Sequence, residues 1–457
     1  MNAIRPGRAR SGVALAVTVA LGLPLTGCLS PERRVQEREL QRARAVLGSG
    51  YGADEPVDRI ARRPAEQEDA EGALAAGPPL ELVREAAVRR NPSLRAALER
   101  WVAFIERVPQ KTALPYPSFR FGYSSMLRMY MYEGMQEVPF PAKLLAEGRA
   151  ALAEARSVGE EFRERENALR EQATSAYASL YLSRRELAVL DENLALLDRL
   201  VEIARAKYQA GATTQPDVLR AEIERETLRV YRAALARAID VARSALNVLL
   251  DRPPEAPIGP LPPLPEPVAP TAGAGLLERA LEVRPEVAAA RERAAAADAM
   301  LSRARQEWIP DLAFGFAYVR DLGMGKGEVE LTGGITLPVW WGRIGAGIAE
   351  AEAEVRRARA ELRSTRNRVL QEVASASALV GAAADRWRIL AHEAVPRAEQ
   401  NVKASEAAYV AGRIDLLALI DSQRMLLAQL LERERALADY TMRRAELERA
   451  IGGPEGR

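Results

Sequence analysis

Four of the nine methionines fall within ten residues, at Met126, Met129, Met131 and Met135. Thioether sulfur is a soft ligand that suits Cu(I), so this spacing is the one place where the sequence offers metal chemistry. Apolar packing within strands or loops is the default reading of the same residues. Other reactive groups are scarce. The single histidine, His392, lies between Ala391 and Glu393 in a helical pattern. With no second histidine or cysteine beside it, it reads as a solvated or seam residue and not as a base. The stretch "GMGKGE" at 323–328 lacks the second half of a phosphate loop and joins two strand candidates, so it reads as a hairpin loop. No catalytic constellation emerges, no cofactor is implied, and the chain is not expected to be an enzyme.

The only cysteine, Cys28, belongs to a different chemistry. It follows three arginines in "MNAIRPGRAR", the apolar run "GVALAVTVALGLPL" and the small residues of "LTGC". A basic start, a short apolar core and small residues before the cut make a secretory signal over residues 1–27. The apolar run is too short for a membrane span of about 20 residues. Leu25-Thr26-Gly27-Cys28 resembles a bacterial lipobox, which implies a lipidated Cys28 as the first mature residue. Leu29, and not aspartate, follows it, which points to the outer membrane.

These groups need elements to hold them, and the composition says which kind. Aromatics make up only 5% of the chain and charged residues 28%, a mixture that favours long helices with narrow apolar seams over one thick core. The net charge of +2, with no basic run carrying aromatics, excludes nucleic acid as a partner. Residues 28–78 read as a lipidated N-terminal segment, helical between Ser30 and Gly50, followed by a linker rich in Pro, Gly, Ala and acid. The body, 79–251 and 276–452, then runs through one pattern twice, with a short tail at 453–457. "RRNPSLRAAL" matches "EVRPEVAAAR", aligning Pro92 with Pro285, and "LPYPSFRF" matches "EWIPDLAF", aligning Pro117 with Pro310. "VPFPAK" matches "LPVWWGR", and "YQAG" at 208–211 matches "YVAG" at 409–412, an offset of 201. Between the halves, residues 252–275 hold nine prolines and predict an extended crossover.

A heptad seam runs through 162–208 at Phe162, Leu169, Ala173, Ala176, Leu180, Leu187, Leu190, Leu194, Leu197, Val201, Ala204 and Tyr208. Its counterpart runs from Val355 to Ala394. The spacing predicts helices over 143–209 and 343–411, each roughly 100 Å long at about 1.5 Å per residue. Partner helices follow over about 216–250 and 414–451. Gly211 and Gly412 can take the left-handed conformation that ends a helix. Pro396 interrupts the second long helix and is a candidate hinge.

Between the helices the period changes to two. In "VELTGGITLPV", Val329, Leu331, Gly333, Ile335 and Leu337 share one face, and Glu328, Glu330, Thr332, Gly334 and Thr336 the other. "LAFGFAYVR" alternates likewise, as do Phe119, Phe121 and Tyr123 against Arg120, Gly122 and Ser124. A fourth strand covers about 129–138. Strands of 9–11 residues with an apolar face match transmembrane barrel strands. Four cannot close a barrel, and an open edge is forbidden in lipid, so the barrel must be shared among chains.

In order and duplication these parts resemble the TolC-like outer-membrane efflux proteins over residues 78–452. "NPSLRAA" and "RPEVAAA", the strand pairs closed by "VPFPAKL" or "LPVWWGR", the two glycine phrases and "VPRAEQN" at 395–401 carry the resemblance. "VPFPAKL" looks most like the heavy-metal-exporting branch, where glycine is usual in place of Ala142. The resemblance implies a mainly α fold of duplicated long-helix hairpins with four transmembrane strands per chain. A homotrimer closes one twelve-stranded barrel over a periplasmic tunnel of twelve helices. It further implies an exit duct that passively conducts substrates from an inner-membrane pump and a periplasmic adaptor. Arg120, Glu328, Glu330, Thr332 and Thr336 then face the lumen. Gly211, Ala212, Thr213 and Thr214, with Gly412, Arg413, Ile414 and Asp415, form the tips that meet the adaptor. The competing reading is a periplasmic coiled-coil adaptor or scaffold lipoprotein, which would show one hairpin and no paired ten-residue amphipathic strands.

Overall fold

The computed structural model describes residues 35, 37–42, 71–268 and 274–453. The leader and Cys28 lie outside them. Residues 71–76, read from sequence as linker, are helical. "EGALAA" is rich in strong helix formers, and Leu74 is buried, so burial adds to a favourable local propensity.

The first repeat comprises α1 (Leu80–Arg90), α2 (Pro92–Ile105), α3 (Arg107–Thr112), β1 (Ser118–Ser124), β2 (Met129–Val138), α4 (Pro141–Gln209) and α5 (Gln215–Leu249). The second comprises α6 (Ala274–Val283), α7 (Pro285–Arg305), a 3-10 turn at Gln306–Trp308, β3 (Asp311–Asp321) and β4 (Gly327–Thr336). It continues with α8 (Trp341–Ile389), a π turn (Leu390–Ala394), α9 (Val395–Val410) and α10 (Leu416–Ala450). Pro92, Pro141 and Pro285 each open a helix, where the missing N–H is not needed and the fixed φ suits the first turn. No described helix is long and apolar enough to cross a membrane.

Two compact units emerge. One contains Val102–Arg156 and Glu292–Ala358 with the described part of the N-terminal segment, and holds all four strands. They form one antiparallel sheet in the order β1-β2-β3-β4, so the two hairpins of the two repeats pair through β2 and β3. The other contains residues 71–101, 157–268, 274–291 and 359–453 and is helical. Its core follows the heptad pattern. Leu190, Leu194, Leu197, Val201 and Ala204 of α4 cluster with Val218 and Ala221 of α5 and with Leu416, Leu419 and Ile420 of α10. A second cluster joins Val369, Val373, Ala376, Val380 and Ala383 of α8 to Tyr440 and Leu447 of α10 and Val287 of α7.

One predicted seam residue departs from this pattern. Tyr208 is 46% exposed, whereas Tyr409, its counterpart in the second repeat, is 5% exposed. Tyr409 is part of the apolar cluster built from α4, α5 and α10, and Tyr208 is not.

The crossover shows neither helix nor strand over 252–268, yet it is held at defined points. Arg184 donates to the Ile258 carbonyl at 2.7 Å, Tyr440 donates to the Val268 carbonyl at 2.9 Å, and Ile258 and Leu264 are buried. Preceding α1, the Pro78 carbonyl accepts a hydrogen bond from the Tyr177 hydroxyl at 3.1 Å, in a site where Tyr177 is fully buried. Burial pushes the Tyr177 phenol up to about 12. A phenol whose folded value exceeds its unfolded one contributes stability that is complete below the unfolded value of about 10 and is lost as pH rises towards the folded value. Thermal melting followed by helical circular dichroism should therefore fall in wild type between about pH 10 and 12. Tyr177→Phe should be less stable at neutral pH by about 1 kcal/mol and show a shallower alkaline decline. Identical alkaline slopes would assign that decline to other groups.

Candidate functional site

Register sorts the sheet into two unlike faces. Phe121, Tyr132, Tyr318 and Val329 lie in one cross-strand row, and Phe119, Gly134, Phe316 and Leu331 in the next. With Tyr123, Tyr130, Phe314, Leu312 and Ile335 they make an apolar, strongly aromatic face. The opposite face carries the row Arg120, Glu133, Ala317, Glu330 and the row Gly122, Met131, Val319, Glu328, with Thr332 and Thr336 further along. The five residues expected on the polar side thus share one face. Every residue of β4 is exposed, and β1 and β4 are the outer strands of the sheet.

Glycine shapes the apolar face at Gly134. A side chain there would drive into the Phe316 ring, which packs edge-on against Phe119 with centroids 6.5 Å apart. The absent side chain lets two aromatic rings from strands on either side meet over β2. Near the hairpin turns, Tyr123 and Tyr130 pair at 4.9 Å and Tyr132 and Tyr318 at 6.3 Å. Where β4 runs into α8, Trp340 and Trp341 are both exposed.

Two groups that anchor the sheet were not singled out in the sequence. Lys143, buried at the start of α4, donates to both carboxylate oxygens of Asp311 at 2.9 Å, and Asp311 also accepts the Phe140 N–H at 2.8 Å. This bidentate contact pins the first residue of β3 to the turn that launches α4. The only sequence signal was the "VPFPAK" phrase itself.

In the helical unit, the two hairpin turns have matching geometry. Gly211 and Gly412 both have φ of 70°, the left-handed region that glycine occupies without strain. Ala212 N–H donates to the Lys207 carbonyl at 2.8 Å, and Arg413 N–H to the Ala408 carbonyl at 2.9 Å, so each turn closes with the same helix-ending bond. The helices that follow start differently. Asp217 accepts from the Thr213 and Thr214 hydroxyls at 2.9 and 2.6 Å, whereas Asp415 accepts the Ala418 N–H at 2.9 Å. The hydroxyl donors, Thr214 first, hold the Asp217 carboxyl below its usual range. Gly211, Ala212, Thr214, Gly412, Arg413 and Asp415 are exposed. Thr213 is half-buried, and Ile414 packs against the apolar cluster, so its side chain is less available than the tip assignment expected.

Polar contacts join the two hairpins. Lys207 Nζ lies 3.8 Å from the centroid of the Tyr409 ring and donates to the Tyr409 carbonyl at 2.9 Å. Further along, Arg424 Nε donates to Glu224 at 2.9 Å, Arg185 pairs with Glu434 at 3.3 Å, and Arg435 with Glu186 at 2.7 Å.

Pro396 occupies the first turn of α9, directly after the π turn. Its ring has no N–H to donate and would clash with the carbonyl of His392, four residues back. The wider turn removes that conflict: Val395 N–H reaches back five residues to the Leu390 carbonyl. The first repeat has no proline at the equivalent Ala195, and α4 runs through it unbroken. His392 is exposed and packs edge-on against Trp387 at 5.6 Å. Among the described residues, no three His, Cys, Asp or Glu side chains converge to hold a metal ion.

Known proteins share part of this sequence and most of this fold. Residues 276–453 match the family described as outer membrane efflux protein. That match spans the second repeat of the chain. The outer membrane efflux fold extends further, since solved channels superpose on most of the molecule. CusC, described with transmembrane channel formation, aligns with a TM-score of 0.72 at 18% identity, covering 83% of this chain and 94% of its own. The outer membrane protein VceC of Vibrio cholerae aligns with a TM-score of 0.70 at 20% identity, covering 82% and 96%. By sequence, the cobalt-zinc-cadmium resistance protein CzcC of Cupriavidus metallidurans is 24% identical over 264 residues, 56% of this chain. The chain spans 61% of the length of that relative. The TolC-like resemblance is thereby supported in both sequence and fold.

If the π turn exists because of Pro396, Pro396→Ala should restore a regular α-helix and slow amide hydrogen exchange over residues 390–399. The local gain is up to about 3 kcal/mol. Unaltered exchange would mean that packing, not proline, sets the π turn.

Proposed function

We propose that the chain is an outer-membrane exit duct of a tripartite efflux system, receiving substrate from an inner-membrane pump through a periplasmic adaptor and conducting it passively outward. The observation that carries this reading is the sheet. It has strands of 7 to 11 residues, two unpaired edges, an exposed aromatic face and a polar opposite face. A soluble domain would bury such an apolar face, and lipid would leave it as it stands. Copies of the chain must pair β1 with β4 to remove the edges, and the family resemblance sets the number at three. The aromatic face then meets outer-membrane lipid, with tyrosines and tryptophans in two interfacial girdles. The polar face lines the lumen, where Arg120, Glu328, Glu330, Thr332 and Thr336 keep water. Lipidated Cys28 adds an anchor, and the Gly211 and Gly412 turns meet the adaptor. Pro396 and its π turn supply a hinge for the second hairpin.

The internal duplication supports the same assembly from the helical side. Within one chain, Glu224 meets Arg424 and Lys207 meets Tyr409. Moved by the 201-residue repeat, these positions become Met425 with Ile223 and Ala408 with Tyr208. In a closed ring the second set falls between chains. Ile223 is 66% exposed and Met425 55%, as expected of apolar residues awaiting a partner. At these two positions the contacts within a chain are polar, while their counterparts between chains are largely apolar.

Detergent-solubilised protein should size as a trimer and give steady conductance in planar bilayers. Ile223→Glu, which places a charge where a neighbouring Met425 belongs, should shift the protein towards monomer with helical circular dichroism intact. Each side chain of this kind contributes about 1.5–3 kcal/mol on burial, and the ring contains three such junctions. Ile223→Leu should remain trimeric. A water-soluble wild-type monomer without conductance would overturn the duct.

A further inference from the structure

The methionines of β2 are on the wrong face for apolar packing. Tyr130, Tyr132 and Gly134 belong to the aromatic face, while Met129, Met131 and Met135 alternate with them and project on the side of the carboxylates. The aromatic face, where a thioether would serve as a flexible gap-filler, contains no methionine. Neighbours on the polar face are small or short. Met135 lies between Ser118 and Gly315, Met131 between Gly122 and Val319, and Met129 between Ser124 and Asp321. Met131 and Met135 are each 38% exposed, and the position of a side chain at Gly122 is an ordinary contact distance, 3.6 Å, from the Met131 methyl. The thioethers therefore stand clear of bulky neighbours and open to solute.

The same face supplies negative charge. Glu133 lies between Met131 and Met135 and is bridged to Arg120 at 3.2 Å, while Asp321 stands on the adjoining β3 and Glu328 and Glu330 one strand further, on β4. Thioethers bind soft, monovalent d10 cations and bind hard or borderline divalent ions weakly; carboxylates raise the local concentration of any cation. Strand spacing separates Met129 from Met131 by about 7 Å and Met131 from Met135 by about 13 Å, too far for one three-sulfur chelate. The arrangement is a file of single or paired contacts, suited to passage and not to storage.

We propose that Met129, Met131 and Met135 form a thioether track that takes soft monovalent cations of the Cu(I) and Ag(I) class along the polar face of the sheet. Its role in transit rests on that face being the lumen of the proposed duct; binding by the three sulfurs does not.

The test uses the full chain in detergent, labelled with 13C at the methionine methyls and titrated with silver nitrate in chloride-free buffer. Ag(I) avoids the redox chemistry of copper. The methyl signals of Met129, Met131 and Met135, assigned by single Met→Leu substitutions, should shift together at a Ag(I) concentration at least tenfold below that which moves the exposed Met126, Met300 and Met324. Zn(II) should move none of the three. The triple leucine variant, close to isosteric, should keep its trimer and its potassium conductance and lose at least tenfold in Ag(I) affinity. Failure of the three signals to move, or movement of every exposed methionine at the same concentration, overturns the track. Bilayer recordings on the same preparation separate the two readings. Shifted methyls without conductance uphold the site and remove the duct, whereas conductance with unmoved methyls does the reverse.

Discussion

An unpaired strand edge cannot stand in hydrocarbon, and in the proposed duct that constraint governs the rest of the structure. Each N–H or C=O left without a partner in lipid costs several kcal/mol, and β1 and β4 each present a row of them. Among the described residues no further strand covers those edges: the sheet contains four strands, and the segments flanking it lead into helices. In the proposed duct the edges pair with other copies. Closure in turn gives meaning to the two faces, because only a closed sheet has an inside. The bidentate Lys143–Asp311 pair and the close approach permitted by Gly134 keep the two hairpins in the register that keeps aromatic and charged residues on separate faces.

Duplication solves the corresponding problem for the helices. A single repeat leaves an apolar seam on both sides of its hairpin. Two repeats cover one side and leave the other for a neighbour. The chemistry of the two junctions has diverged: Glu224–Arg424 and Lys207–Tyr409 join hairpins within the chain, while Ile223, Met425 and Tyr208 remain exposed. Ion pairs between partly exposed side chains are modest in energy but strict in geometry. They suit a contact that must fold in one register, and in the proposed assembly the exposed apolar residues suit chains that must find one another. Asymmetry also marks Pro396, which places a π turn in one hairpin and leaves the other regular.

Much of this was legible in the sequence where periodicity was long. The α4 seam and the β3 and β4 segments carry enough repeats of 3.5 or 2 to be read directly, and the paired glycines fix the turns. What was illegible depended on partners far along the chain. Lys143 and Asp311 are 168 residues apart, and nothing local announces their contact. Tyr208 and Tyr409 stand in the same phrase, yet one is exposed and the other buried, since burial depends on which neighbour is present and not on the phrase. In β2 both faces are apolar by composition, methionine on one and tyrosine on the other, so alternation alone could not say which faced outward. Pairing with β1 and β3 supplied that answer. The helix at 71–76 was missed for a simpler reason: alanine and glycine near prolines look like linker until Leu74 finds a core.

The central claim is that one face of the sheet meets lipid and the other water. Its most direct measurement is a cysteine scan along β1, from Ser118 to Ser124, in the protein reconstituted into liposomes, scoring each site with a membrane-impermeant maleimide and with quenching of an attached fluorophore by spin-labelled lipid. Positions 118, 120, 122 and 124 should react with the maleimide and resist lipid quenching, while 119, 121 and 123 should do the opposite. Uniform accessibility along the strand, without a period of two, would contradict the account.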